Sequence, residues 1–338
     1  MKRYLLPESK QIDDIVVSEI DVPKPKRGQV LVRMRAASLN YRDLIIASGL
    51  YRLSAEQQHG IVPVSDGAGD VAEVGEDVTR VKPGDRITIT FVPDLITGQT
   101  TAEALGKLRG APKDGVLAEY GVFEEQDLVV LPDSISYEEA ACLPCAGVSA
   151  WNALYCGPLP LLPGQTVLTL GTGGVSVMAV QMANAGGARV IVTSSSDEKI
   201  EKVMEAGASD GVNYKTNPEW HEIVRYLTDG RGVDLTVETG GPGTLSKSVA
   251  ATRFGGSIGM IGVLVEGQIN PIEIMHGGMI ARSVLTGSRT MLEDMIRAID
   301  FHSIRVIIDK VFPFADAVAA YKHLEQAQHV GKVVIAIN

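Results

Sequence analysis

The sequence predicts an α/β protein in two parts, a β-rich first domain and a doubly wound parallel sheet. Three observations carry that expectation. Apolar and polar residues alternate in short runs through the first 130 residues. From about position 160, apolar runs recur roughly every 20–25 residues, with helical patterns between them. One of those runs passes directly into a glycine-rich turn and then a helix.

Composition sets limits. The 338 residues are 45% hydrophobic and 21% charged, which suffices for a core without disulfide or metal staples. A formal net charge of -10 argues against a nucleic-acid partner and against an anionic membrane surface, because clustered Lys and Arg bind both. No apolar run approaches the roughly 20 residues of a membrane span. The first residues lack the apolar core of about 7–15 positions that marks a signal peptide, so a cytoplasmic protein is expected. Cys142, Cys145 and Cys156 are too few for a disulfide framework or a four-cysteine zinc site. No two histidines share the HxxxH spacing of a metal-binding helix.

Residues 28–35, 67–75 and 84–90 read as strands of an all-β first segment. The glycines of 67–75 signal close backbone approach or a bulge. Residues 93–115 show no period and read as a surface loop. Strands then begin near Val167, Val190, Val212, Val233 and Ile258. Between two of them, Ser196 or Asp197 caps a helix whose Ile200, Val203 and Met204 share one face, and Gly207 stops it. Residues 292–302 and 316–326 read as helices. A last strand over 332–337 would return to complete the first domain.

The turn is the sharpest signal. The strand Val167-Leu168-Thr169-Leu170 meets Gly171-Thr172-Gly173-Gly174-Val175-Ser176, and a helix follows. Gly173 and Gly174 would let a pyrophosphate approach the backbone, while the free N–H groups and dipole of the helix start attract it. Ser176 stands at the third glycine position and is small enough for close helix–strand packing. An NAD-selecting site would place a carboxylate about 20 residues on, at the end of the next strand. That strand ends instead in Ser194, Ser195 and Ser196, with Lys199 nearby, which favours a 2′-phosphate and therefore NADP. Asp197 is the alternative, either as a helix cap or as a ribose ligand that would permit NAD.

Together with the β-rich first domain, these residues resemble the medium-chain dehydrogenase/reductase superfamily over essentially the whole chain. The matching motifs are Ser38-Leu39-Asn40-Tyr41-Arg42-Asp43, Asp66-Gly67-Ala68-Gly69-Asp70-Val71, Lys82-Pro83-Gly84-Asp85-Arg86, Pro144-Cys145-Ala146-Gly147 and the glycine turn. The resemblance implies a GroES-like catalytic domain over 1–146, completed by 288–338, around a Rossmann domain over 147–287. Zinc-containing relatives carry Cys at the place of Asn40, His-Glu at Ser65-Asp66, and Cys at Cys145. Only the last survives, so no zinc is expected. Cys145 then reads as a small buried residue or a reactive thiol.

Without a metal, the charge that develops on hydride transfer must be dispersed or met by hydrogen-bond donors, Asn40 among them. That favours a quinone or α,β-unsaturated carbonyl as the small-molecule substrate. A zinc-free alcohol or aldehyde oxidoreductase is the alternative, and an NADPH-binding sensor is a third reading. By the resemblance, Ser149 approaches the nicotinamide, Ile261 and Val263 meet its carboxamide, and Thr239 and Gly240 line the adenine or ribose side. Tyr214 stacks near the 2′-phosphate or simply packs at the sheet edge. Lys332 reaches the pyrophosphate or is a solvated strand end. Arg42 and Tyr51 flank the substrate cleft or serve as wall residues. A strand over 283–287 would extend the sheet across a homodimer interface, within a dimer or a tetramer. Loops over 45–60, 91–115 and 263–282 would shape the pocket.

Overall fold

The computed structural model describes residues 1–6, 11–51 and 60–338. Of the 45–60 loop, residues 52–59 therefore lie outside the described residues. The chain divides into two units, Met1–Val148 with Gly287–Asn338, and Ser149–Thr286.

In chain order the first unit contains β1 (Lys2–Leu5), β2 (Val16–Glu19), β3 (Gln29–Leu39), α1 (Tyr41–Ala47), β4 (Asp66–Val74), β5 (Arg86–Ile89), α2 (Ala102–Leu105), β6 (Tyr120–Glu124), β7 (Leu128–Val130) and α3 (Tyr137–Ala141). α4 (Val148–Tyr155) leads into the second unit, which holds β8 (Thr166–Leu170), α5 (Gly174–Ala185), β9 (Arg189–Ser194), α6 (Asp197–Glu205), β10 (Asp210–Asn213), α7 (Trp220–Leu227), β11 (Val233–Glu238), α8 (Pro242–Ala251), β12 (Thr252–Met260), α9 (Pro271–His276) and β13 (Ile280–Ser283). α10 (Arg289–Phe301), β14 (Ile308–Pro313), α11 (Ala317–Glu325) and β15 (Lys332–Ala336) return to the first.

β3 is the spine of the first unit. It pairs with β4 along nearly its whole length, and its other edge is shared between β6 and β15. Val30 to Val32 are buried in a row, Arg33 and Arg35 reach outward on either side of buried Met34, and from Ala36 to Leu39 every side chain is buried, because both faces are covered there. β15 lies antiparallel to β3 and parallel to β14, so the last strand completes the first unit's seven-stranded sheet. Gly69 is needed on β4, since a Cβ there would lie 2.1 Å from Arg33 O on β3. Val32, Met34, Leu39, Ile87, Tyr321 and Ile335 are fully buried in the core.

Two expectations are corrected here. The first 130 residues are not all-β, because α1 follows β3 directly and α2 lies at Ala102–Leu105. α1 starts where Asp43 accepts the Asn40 N–H at 2.7 Å, a local cap that strand-period reading passes over. Nor is 93–115 only a surface loop. It carries α2, capped by the Thr101 hydroxyl, and its Leu95, Ala104 and Leu108 are buried with Phe91 and Val92. Those apolar residues fall at no regular spacing, so periodicity missed them.

The second unit is a six-stranded parallel sheet in the order β10-β9-β8-β11-β12-β13. Leu168, Ile191 and Val233 pack with Trp220 and Val224 of α7 on one face. Ser196 caps α6 through the Lys199 N–H, and Gly207 ends the helix region with φ of 114°. The strand expected over 283–287 sits instead at Ile280–Ser283. Val284 still donates to Met260 O, but β12 ends at Met260 and Thr286 turns to φ of 58°. Among the described residues, no helix is long and apolar enough to cross a membrane.

Candidate active site

In the second unit the predicted cofactor residues gather at the carboxyl ends of the parallel strands. Gly171, Gly173, Gly174 and Val175 follow β8, Ser194 ends β9, and Ser195 comes next. Tyr214 follows β10, Thr239 and Gly240 follow β11, and Ile261 to Val263 follow β12. The strand order reverses between β8 and β11, and such a switch point opens a crevice at the strand ends.

The turn itself suits an anion. Gly173 is the N-cap of the twelve-residue α5, and a Cβ on it would meet no atom within 4 Å. Ser176 is buried and donates to Leu170 O at 2.5 Å, tying the helix start to the strand end. Across the switch point, the Thr239 hydroxyl also donates to Leu170 O at 2.5 Å. Tyr214 N–H donates to Ser194 O at 2.9 Å, which brings the tyrosine beside the serine strand end. Ser194 itself is only 2% exposed, whereas Ser195 and Lys199 are half-buried.

Glu238 was not expected to matter, and it organises one side of this crevice. Its buried carboxylate accepts the N–H groups of Gly240 and Gly241 and the Thr244 hydroxyl, and Ser248 donates to its other oxygen. Its carbonyl accepts the N–H groups of Ile261 and Gly262. Gly262 must be glycine, since a Cβ would fall 1.7 Å from Thr239 O. A carboxylate at the very end of β11, just before Thr239 and Gly240, was the available signal. Ser149 is buried at the start of α4.

The first unit builds a different kind of site. Lys332, at the start of β15, is 4% exposed, and its ammonium donates to Leu39 O at 2.5 Å and Asn40 Oδ1 at 2.6 Å. Asn40 Nδ2 donates to Ser65 Oγ at 3.4 Å. Ser65 donates to Asp66 Oδ1 at 2.7 Å, and the Cys145 N–H donates to Asp66 Oδ2 at 2.9 Å. Burial pushes the Asp66 carboxyl up from its ordinary range, against the pull of Lys332 and of its hydrogen bonds. Burial likewise raises Asp43, to about 6. The Cys145 thiol is driven up by burial and by the neighbouring Asp66, and burial lifts Cys142 to about 11, so both hold their protons at neutral pH. Of the two readings of Cys145, the inert one fits this setting.

Arg42 braces the same region. It donates to Arg109 O at 2.9 Å and to Ala111 O, and its guanidinium lies 4.8 Å from the Tyr51 ring centre. That pins the 109–111 backbone to α1, a structural duty that Arg42 performs alongside any role as a cleft wall.

The comparisons with known proteins agree with this architecture. The alcohol dehydrogenase GroES-like domain family matches residues 26–133, and the zinc-binding dehydrogenase family matches residues 174–303. A zinc-type alcohol dehydrogenase-like protein of Schizosaccharomyces pombe is 41% identical over 345 residues, covering 99% of each chain. A putative alcohol dehydrogenase of Sinorhizobium meliloti superposes with a TM-score of 0.91 at 35% identity, covering 99% of this chain and 98% of that one. A structure described as an NAD-dependent alcohol dehydrogenase gives a TM-score of 0.90 at 29% identity, with both chains fully covered. The chain belongs to the medium-chain dehydrogenase/reductase superfamily. Within it, the protein is an NAD(P)-dependent oxidoreductase.

Proposed function

We propose that this protein is an NADP(H)-dependent, zinc-independent reductase that delivers hydride to a quinone or an α,β-unsaturated carbonyl, acting as a cytoplasmic homodimer. The observation that carries the reading is the chain Lys332–Asn40–Ser65–Asp66 in the first unit. Zinc takes about three protein ligands with an open fourth position. Here both Asp66 oxygens already accept hydrogen bonds, Cys145 keeps its proton, and Asn40 and Ser65 are weak neutral ligands. Lys332 also sets a positive charge into the cluster, which a divalent ion would meet with repulsion. These residues do not fit a zinc ion. Among the described residues, no group of three or more His, Cys, Asp or Glu could hold a metal.

The residues at the strand ends do fit a dinucleotide, with the glycine turn and the α5 N-terminus for the pyrophosphate and Ser195 with Lys199 for the 2′-phosphate side. Bound there, the reduced nicotinamide supplies the hydride. In a conjugated substrate the resulting charge spreads to a remote oxygen, and the Asn40 amide is the donor that meets it. The turn would meet the phosphates with backbone N–H groups of the α5 N-terminus and needs no acid or base. A second reading, a zinc-free alcohol or aldehyde oxidoreductase, is favoured by the names of the relatives.

NADPH oxidation followed against quinones, enones and aldehydes separates the two. Turnover confined to aldehydes would favour the second. About one zinc per chain, retained through dialysis against a chelator, would end the zinc-free reading altogether.

A further inference from the structure

The hydrogen bonds of the first unit's polar cluster all run one way. An ammonium has three donors and no acceptor, whereas a carboxamide has an acceptor face and a donor face. With Lys332 Nζ 2.6 Å away, Asn40 must turn Oδ1 toward it and Nδ2 away. The opposite rotamer would set donor against donor at a position only 9% exposed. Downstream, Asn40 Nδ2 donates to Ser65, Ser65 donates to Asp66, and Asp66 also accepts the Cys145 N–H. A cation therefore stands at one end, a carboxylate at the other, and each bond polarises the next in low-dielectric surroundings. The Asn40-to-Ser65 contact is the long member at 3.4 Å, so the amide's donor capacity is the least committed part of the chain.

We infer that Lys332 is a positioning residue, which locks the orientation of the Asn40 amide and strengthens its N–H groups as donors to the substrate oxygen. This rests on the reading of Asn40 as that donor. A fixed ammonium, acting through an amide, then does part of what a metal does elsewhere by direct ligation. The rival is the role expected from resemblance, in which Lys332 binds the pyrophosphate. The two acceptors already on the ammonium, Leu39 O and Asn40 Oδ1, favour the inward role.

Lys332→Met, Asn40→Ala and the double variant test this, with Lys332→Gln as a second variant should the methionine protein fail to fold. If Lys332 acts through Asn40, Lys332→Met lowers kcat about tenfold to hundredfold and leaves the NADPH Kd within about threefold. In the Asn40→Ala background the same change costs less than about twofold, because the group it positions is gone. An NADPH Kd weakened about tenfold with kcat intact would assign Lys332 to the phosphates and overturn the inference. So would two kcat losses that simply multiply. A readout without substrate keeps this separate from the reductase reading. In 15N spectra of the wild type, the Asn40 side-chain amide, assigned by its absence in Asn40→Ala, should exchange slowly. In Lys332→Met its hydrogens should exchange at least about tenfold faster. Unchanged exchange would overturn the inference even for a protein that turned over none of the tested substrates.

Discussion

The glycine turn after β8 and the polar cluster around Asn40 are built in two different ways. The turn is made of backbone: Gly173 caps α5, and the N–H groups of the first helical turn offer partial positive charge with nothing to titrate. The cluster is made of side chains, Lys332, Asn40, Ser65 and Asp66, drawn from two strands, the residue before one of them and a helix start, and buried together. A backbone site tolerates changes in pH but not added atoms. A side-chain site tolerates neither a lost partner nor a shifted proton. The predictions below press on that contrast.

The largest effect is expected at the turn. Gly173 has φ of -78° and ψ of 179°, a conformation open to any residue, and its Cβ position is unobstructed. Gly173→Asp should therefore fold normally, and aspartate is itself a good N-cap. The carboxylate would occupy the pyrophosphate's place and repel it. Nucleotide affinity should fall about a thousandfold, or about 4 kcal/mol, with the melting temperature unchanged or slightly raised. Fluorescence titration and a thermal melt on the same sample check both halves. Loss of fold together with binding would mean the turn is structural first.

This contrast also decides what could be read without coordinates. The turn was legible because its parts are consecutive: strand, Gly171 to Ser176, helix. The parallel strands β8 to β11 were legible for the same reason, as local apolar runs, whereas β12 begins at Thr252, six residues before the apolar run expected from Ile258. The cluster was not. Asn40 and Lys332 are separated by 292 positions and meet only because β15 returns to pair with β3. Asn40 stood out from its motif, but nothing local says that its partner is Lys332. Glu238 escaped because its acceptor groups serve a turn that forms only after β11 and β12 align. The strand expected over 283–287 was misplaced by a few residues because composition does not reveal where a neighbouring strand stops.

A smaller effect, of opposite character, is expected beside the cluster. Burial raises the Asp43 carboxyl from 3.8 to about 6. Between those values the folded protein binds a proton that the unfolded chain does not. That contribution to stability is complete below about pH 4 and is lost as pH rises through 6. The displacement corresponds to about 3 kcal/mol. Asp43→Asn cannot titrate, so its stability relative to wild type should rise by about that amount from pH 4 to pH 7. Urea unfolding of both proteins across that range measures it. A difference that stays flat would show that Asp43 is ionised throughout, held by Lys332 and Arg42.

The smallest expected effect concerns the choice of nucleotide, where the backbone-built and side-chain-built styles meet at one strand end. Ser194 holds the position of an NAD-selecting carboxylate, but it is 2% exposed, and an aspartate there would bury a charge. Ser194→Asp should thus lower stability as well as NADPH affinity, which blurs the result. Ser195 is half-buried next to Lys199 in the first turn of α6 and gives the cleaner variant. A carboxylate at 195 would repel a 2′-phosphate yet accept a ribose hydroxyl. Charge-assisted bonds of this kind contribute roughly 1.5–3 kcal/mol, so Ser195→Asp should weaken NADPH about tenfold to hundredfold while NADH changes less than about threefold. The competing group is Asp197, whose exposed carboxylate accepts from Asn213 Nδ2 at 2.8 Å, on the residue that pairs with Ser194 across the ladder. If wild type binds NADH at least as tightly as NADPH, and Asp197→Asn weakens NADH about tenfold, then the aspartate reaches the ribose and the serines do not select the cofactor.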